Sequence, residues 1–272
     1  MTGLAIANNR AVFGSNSGGL YYSIYNTSTF TWSNLSKFNT SFYAWSIALT
    51  QDGNRGVIGQ NGGYINYFTW NASSMVYNSP IQILDTNIRN YWSVALSPSG
   101  NVLVTGAQNN IYIANWNGSN YSTLTSLITF NNGTVVYVGI SPDGNRLVYN
   151  NKPSGPNSNG VFSMALWNGT TFDVTNAVVF DSSSQSLGLW ETHMAFSPDS
   201  SVLFMYRYYY TWNETTQKYV NRQVIPTTAY KSNGDVKGVA VHDRGNLGMT
   251  LHYISSTLST NASDTYSSTN VS

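Results

Sequence analysis

The sequence predicts an all-β fold of six four-stranded units, and three observations carry that expectation. A turn motif recurs at near-regular spacing, the runs flanking it are short and apolar or alternating, and an Asn-containing hairpin motif follows each copy. Period-two alternation and brief apolar runs bounded by turn residues are strand signals, and helical periodicity is nearly absent.

The turn motif is clearest in "NYWSVALSPSGNVLVTG" (90–106), two apolar runs hinged on Ser-Pro-Ser-Gly. Relatives stand at 43–59, 135–150, 191–206 and 236–251. Gly53, Gly100, Gly144, Ser200 and Gly245 align, with spacings of 47, 44, 56 and 45 residues. The turn chemistry is legible: Pro98, Pro142 and Pro198 preset φ, Asp143 and Asp199 suit capping of local N–H groups, and Gly100 and Gly144 suit a positive φ. In "LAIANNRAVFG" (4–14), Leu4 matches Leu49, Asn9 matches Asn54 and Gly14 matches Gly59. That copy starts part-way through its first strand. About five residues of it are therefore expected before Met1 in a longer polypeptide, or from a partner chain.

The second motif is "YNTSTF" (25–30), "WNASSM" (70–75), "WNGSNY" (116–121), "WNGTTF" (167–172), "WNETTQKY" (212–219) and "TNASDTY" (260–266). Each belongs between the third and fourth strands of a unit. Six units of about 45 residues with four strands apiece are the sequence mark of β-propeller blades, each burying its faces against its neighbours. Six blades are expected, with five and seven as alternatives, in a single domain over 1–272.

The "SPDGNRL" turn of "VGISPDGNRLVYN" resembles the first hairpin of WD40-like and TolB-like propellers, and "WSIALTQDG" and "WSVALSPSG" resemble the opening strands of sialidase-type repeats. The resemblance implies blades over the whole chain. It implies no activity, since the Trp-Asp pair of WD40 blades and the Ser-x-Asp-x-Gly-x-x-Trp box of sialidases are both missing.

Composition narrows the function. Charged residues make up 8% of the chain and the formal net charge is +1, with no Lys/Arg cluster to serve as a footprint for nucleic acid. No apolar run is long enough for a membrane-spanning helix, and "MTGLAIANNR" has no signal-peptide core. Neither nucleic acid binding nor membrane insertion is expected. With no cysteine, disulfides and thiolate chemistry are excluded. No histidine spacing suggests zinc, no elbow supports a serine nucleophile, and no carboxylate pair is marked among two glutamates and nine aspartates. No cofactor, metal or catalytic residue is expected. Arg10, Arg55 and Arg146 recur directly after the turn and read as solvated or turn-bridging.

Asn-x-Ser/Thr sequons are dense: Asn26, Asn71, Asn117, Asn168, Asn213 and Asn261 at the repeated hairpin, with Asn34, Asn39, Asn120 and Asn132 elsewhere. Asn-Gly in a tight turn explains Asn117 and Asn168. It does not explain Asn26, Asn71 and Asn213, which keep the hydroxyl residue without the glycine. Glycosylation at these positions is expected, and glycans would keep so uncharged a surface soluble.

In a four-stranded meander the first turns and the sequon hairpins share one end of the blade. The other end carries the loops of most variable length, including 152–160, 180–193 and "RYYYT" (207–211). Partner contacts are expected there or on the outer edges, through Trp45, Trp92, Trp190, Tyr208 and Tyr210, with Phe42, Tyr43 and Tyr91 as further exposed-looking aromatics. Packing between blades is the competing reading for Trp45 and Trp92, which repeat at one blade position. The expected function is a non-enzymatic, glycosylated extracellular, cell-surface or virion-surface module for assembly or adhesion, with protein or glycan partners. A sialidase-like or other glycan-active enzyme and a soluble lectin are the alternatives.

Overall fold

The computed structural model describes residues 3–14, 18–60, 63–83, 90–131, 133–152, 160–184, 194–205, 208–224, 239–242, 248–251 and 269–270. The described strands fall into six antiparallel sheets, one for each sequence unit. The first holds β1 (Leu4–Ala7), β2 (Arg10–Gly14), β3 (Leu20–Asn26), β4 (Thr31–Trp32) and β5 (Ser36–Asn39). The second holds β6 (Ala44–Leu49), β7 (Arg55–Gln60), β8 (Asn66–Asn71), β9 (Val76–Tyr77) and β10 (Ile81–Gln82). In both, the expected fourth strand is split into two short pieces on the third strand.

The third sheet is β11 (Tyr91–Leu96), β12 (Val102–Ala107), β13 (Asn110–Asn115) and β14 (Thr125–Thr129). The fourth is β15 (Thr134–Ile140), β16 (Arg146–Lys152), β17 (Gly160–Leu166) and β18 (Val178–Ser184). The fifth is β19 (Met194–Phe196), β20 (Val202–Met205), β21 (Tyr208–Asn213) and β22 (Lys218–Val224), and the sixth shows β23 (Val239–His242), β24 (Gly248–Leu251) and β25 (Thr269–Asn270). The third, fourth and fifth sheets run in chain order, as expected of a meander.

Cores form between sheets rather than within them. Val57, Tyr67, Tyr91, Leu103 and Tyr112 join the second and third sheets, and Val104, Ile111, Val138, Leu147 and Tyr149 join the third and fourth. Val148, Phe162, Leu203 and Tyr210 do the same for the fourth and fifth. Each such side chain contributes about 1.5–3 kcal/mol of burial, so a sheet alone would lose most of its stabilisation. The first strands make the inner contacts: β1 lies against β6, β6 against β11, β11 against β15, β15 against β19 and β19 against β23.

Inner-strand approach explains a repeated glycine. A Cβ on Gly14 would lie 2.5 Å from the Ala44 Cβ, and one on Gly59 would lie 2.6 Å from the Tyr91 carbonyl oxygen. Bulges mark the same strands, since pairing slips between Ala44 and Ser46 and again between Tyr91 and Ser93. Trp45 and Trp92 are the extra residues. The serine after each reaches the next sheet: Ser46 Oγ accepts the Val94 N–H, and Ser93 Oγ accepts the Val138 N–H and donates to the Val138 carbonyl, all at 3.1 Å.

If the six sheets close into a ring, β23 meets β1. A cysteine pair placed on these two strands, in a chain with no cysteine of its own, is expected to form an intramolecular disulfide under mild oxidation. Mass spectrometry that finds only intermolecular linkage would count against closure.

Candidate functional site

The first turns and the sequon hairpins do share one end of the first five sheets, where the Tyr25 N–H donates to the Asn9 carbonyl in the first. The N–H of Trp70 donates to the Asn54 carbonyl, that of Trp116 to Asn101, that of Trp167 to Asn145 and that of Trp212 to Ser201. The turns are built as their residues predict. In the second sheet, Asp52 Oδ1 accepts the Thr50 hydroxyl at 2.6 Å and the Asn54 N–H at 2.9 Å, and Gly53 has φ +69°. Ser141, Asp143 and Asn145 repeat this arrangement, as do Ser197, Asp199 and Ser201. Ser200 takes the glycine position with φ +62°.

These carboxylates are occupied by structure. The Ser197 hydroxyl and the Ser201 N–H hold Asp199 below the usual aspartate value. At Asp52, burial pushes the value up, but hydrogen bonds from Thr50 and Asn54 and the Arg10 charge outweigh it.

The hairpins explain the sequon asparagines. Asn26 Oδ1 accepts the N–H groups of Ser28 and Thr29, Asn71 those of Ser73 and Ser74, Asn117 those of Ser119 and Asn120, and Asn168 those of Thr170 and Thr171. Asn213 accepts from Thr216. This is Asx capping. The left-handed residue differs between two hairpin classes. It is Gly118 or Gly169 just after the asparagine in the tighter form, and Phe30, Met75 or Gln217 four residues on in the wider one. Glycine is needed only in the first class, which is why three sequons do without it. In all five the bonded atom is Oδ1, so Nδ2, the atom a glycan would join, takes no part.

Of the remaining sequons, Asn34 and Asn120 are exposed and Asn39 is half-buried. Asn120 Oδ1 accepts the Tyr67 hydroxyl at 2.6 Å. Asn132 and Asn261 lie outside the described residues.

Above three of the turns stands a repeated cassette that links one sheet to the next. An arginine from the start of a second strand reaches over the following sheet's turn and stacks on its hairpin tryptophan. Arg10 lies 4.3 Å from the Trp70 ring centre and donates to the Asp52 carbonyl at 2.9 Å. Arg55 lies 3.9 Å from Trp116 and donates to the Ser99 carbonyl at 3.1 Å. Arg146 lies 3.8 Å from Trp212, donates to the Ser200 carbonyl at 2.7 Å and pairs with Asp143 at 3.3 Å. A tyrosine completes each cassette. Tyr77, Tyr121 and Tyr219 donate to the carbonyls of Gly53, Gly100 and Ser200 at 2.8, 2.7 and 2.9 Å. Burial pushes the Tyr219 hydroxyl up to about 12.

The interface between the third and fourth sheets departs from this pattern twice. Val102 stands where the others have arginine, and Phe172 where they have tyrosine. The aromatic pair is nevertheless in place: Trp167 and Phe172 lie 5.0 Å apart at 72°, against 4.9 Å at 73° for Trp70 and Tyr77. A cavity of about 390 Å³ opens here, bounded by Ser97 to Val102 without Gly100, by Asp143 to Asn145, and by the two rings.

No family model matches the sequence, and no curated protein matches it. Solved structures do resemble the fold. A candidate 6-phosphogluconolactonase from Bacteroides uniformis superposes with a TM-score of 0.66 at 13% identity, over 92% of this chain and 77% of that one. The β-propeller domain of Cps50 (Swd1) from Myceliophthora thermophila gives 0.59 at 10% identity, over 92% and 78%. A chain of a mitotic checkpoint complex gives 0.57 at 13% identity, over 93% and 73%. The fold is a β-propeller.

Within this propeller the five aromatic anchors expected from sequence are dispersed. Trp190 lies outside the described residues, as do 153–159 and 185–193. Trp45 and Trp92 are half-buried at the inner-strand bulges of successive blades. Tyr208 and Tyr210 require correction, because they are strand residues of β21, 6% and 2% exposed, and not loop residues at the surface. They face a buried carboxylate: the Tyr210 hydroxyl donates to Asp181 Oδ2 at 2.5 Å, and Arg222 pairs with that oxygen at 3.2 Å while stacking on Tyr208 at 4.0 Å. Tyr91 is also fully buried, whereas Tyr43 is 53% exposed.

Sequence reasoning missed the Val102 and Phe172 departures. The repeat alignment held that signal, as a broken column of arginine and a broken column of tyrosine.

Proposed function

We propose that this propeller is a non-enzymatic, glycosylated module displayed outside a cell or on a virion, working in structural assembly or adhesion through protein contacts. The observation that supports this reading is a group of exposed apolar side chains on the hairpins and outer edges of the first two blades. Phe30, Trp32 and Leu35 stand on the first, and Met75, Val76 and Ile81 on the second. The two edges are neighbours, since the Tyr22 hydroxyl donates to the Met75 carbonyl at 3.2 Å. Phe30 is 74% exposed. Exposed large apolar residues grouped on adjoining edges mark interaction surfaces, unlike single scattered ones.

The resembling chain from the mitotic checkpoint complex belongs to a protein assembly, which agrees with a protein partner. The sequon asparagines at the hairpins supply the glycans. Intact mass of native protein is expected to exceed the chain mass by several glycans, with Asn71, Asn117 and Asn168 among the modified sites.

The test of the contact surface is Phe30→Ser combined with Trp32→Ser. Sedimentation velocity is expected to show a shift of the native assembly to smaller species, with an unchanged circular dichroism spectrum. Unaltered assembly would remove the outer edge from the interface.

A further inference from the structure

We propose that the cavity between the third and fourth blades is an arginine-binding site, whose occupant is the guanidinium of an arginine side chain on a protein partner. The inference rests on the protein-contact reading above but names a different surface and the chemistry it takes.

The argument is internal to the chain. At three equivalent interfaces the same set of surfaces holds a guanidinium, namely a tryptophan face, a turn carbonyl and an aromatic at the tyrosine position. At the fourth, Trp167 and Phe172 keep the ring geometry of the filled cassettes. Among the described residues, no cation stacks on Trp167.

The turn glycines report the same vacancy. A Cβ on Gly53 would lie 3.2 Å from Arg10 Nη1, and one on Gly100 would lie 3.0 Å from Arg55 Nη2. At Gly144 the nearest atom is Pro98 Cδ at 3.4 Å. Valine is too short to span the space that arginine fills, so Val102 lines the cavity without reaching the face of Trp167 as Arg55 reaches Trp116.

Its walls suit a guanidinium better than any neutral group. The indole face of Trp167 attracts a cation, and arginine adds planar stacking to the charge. Asp143 contributes a carboxylate that is 31% exposed and already shares a charge pair with Arg146 on its far side. Phe172 has no hydroxyl, so the Gly144 carbonyl lacks the tyrosine donor that its counterparts at Gly53, Gly100 and Ser200 receive. An incoming guanidinium, with five N–H donors, can supply that bond and the one to the Asp143 carbonyl together.

The test uses glycan-free protein, because the cavity opens beside the hairpin that carries Asn168. Nα-acetyl-arginine amide is titrated while indole signals are followed by NMR, with the citrulline analogue as the neutral isostere. Arginine is expected to bind saturably and about ten-fold or more tighter than citrulline, the size of a partly desolvated cation–π contact. Val102→Arg is expected to fill the cavity from within, raising Tm and abolishing binding.

Equal affinity for the two compounds would overturn the proposal. So would a Val102→Arg protein that binds as well as the wild type, fails to fold or melts lower. Because the probe is a small molecule, these outcomes are independent of whether the outer-edge variants change assembly.

Discussion

Arg146→Ala is expected to destabilise the propeller by about 3 kcal/mol, from the loss together of a charge-assisted hydrogen bond and a desolvated cation–π stack. Arg146 is 9% exposed and makes four contacts that alanine abandons together: the Ser200 carbonyl at 2.7 Å, Asp143 at 3.3 Å, the Trp212 ring at 3.8 Å and the Tyr219 hydroxyl at 3.4 Å. Its removal unfastens the fourth blade from the fifth at the turn end. For a chain of this size the corresponding fall in Tm is about 6–12 °C. Arg146→Lys keeps the charge but loses the planar stack and most of the fork of donors, and should fall between alanine and wild type. Arg10→Ala, whose partners are at an exposed turn, should cost only about 1 kcal/mol. Urea midpoints for the three variants provide the check. A loss at Arg146 no larger than that at Arg10 would show that the cassette does not hold the blades together.

Gly59→Val is the second large effect, at about 3 kcal/mol by overpacking. The new Cβ would lie 2.6 Å from the Tyr91 carbonyl oxygen and 3.1 Å from Val94 Cγ1. Tyr91 is fully buried on the next inner strand, so the clash is with backbone that cannot swing aside. Gly118→Ala is the contrasting case. Nothing lies within 4 Å of its added Cβ, but φ is +101°, and the cost of about 1 kcal/mol is local backbone strain. Thermal melts of the pair should therefore separate crowding between blades from turn conformation. Equal losses would mean that the inner strands have room to part.

The repeat made the architecture readable because each unit writes the same physics. Ser-Pro-Asp-Gly-Asn states its turn, with the hydroxyl, carboxylate and left-handed glycine all used as their chemistry suggests. Gly14 and Gly59 align in the repeat, but the reason for glycine there is the next inner strand, which the repeat does not show. Tyr208 and Tyr210 depart from the sequence expectation for the opposite cause. An aromatic run beside a variable loop looks like a surface platform, but its partner, Asp181, comes from another blade 29 residues away from Tyr210, and one-dimensional spacing does not report that distance in space.

By itself, the sequence determined the strand content, the period, the turn types and the shared end of first turns and sequon hairpins, because these depend on residues close together in the chain. Only the tertiary structure decided which arginine meets which tryptophan. Arg10 and Trp70, Arg55 and Trp116, and Arg146 and Trp212 pair across blade interfaces, and the strength of such a contact depends on separation and desolvation that arise only when two blades pack. The same packing made an ordinary Val102 part of a cavity wall, since a valine after a turn is unremarkable until the neighbouring blade brings the Trp167 indole beside it.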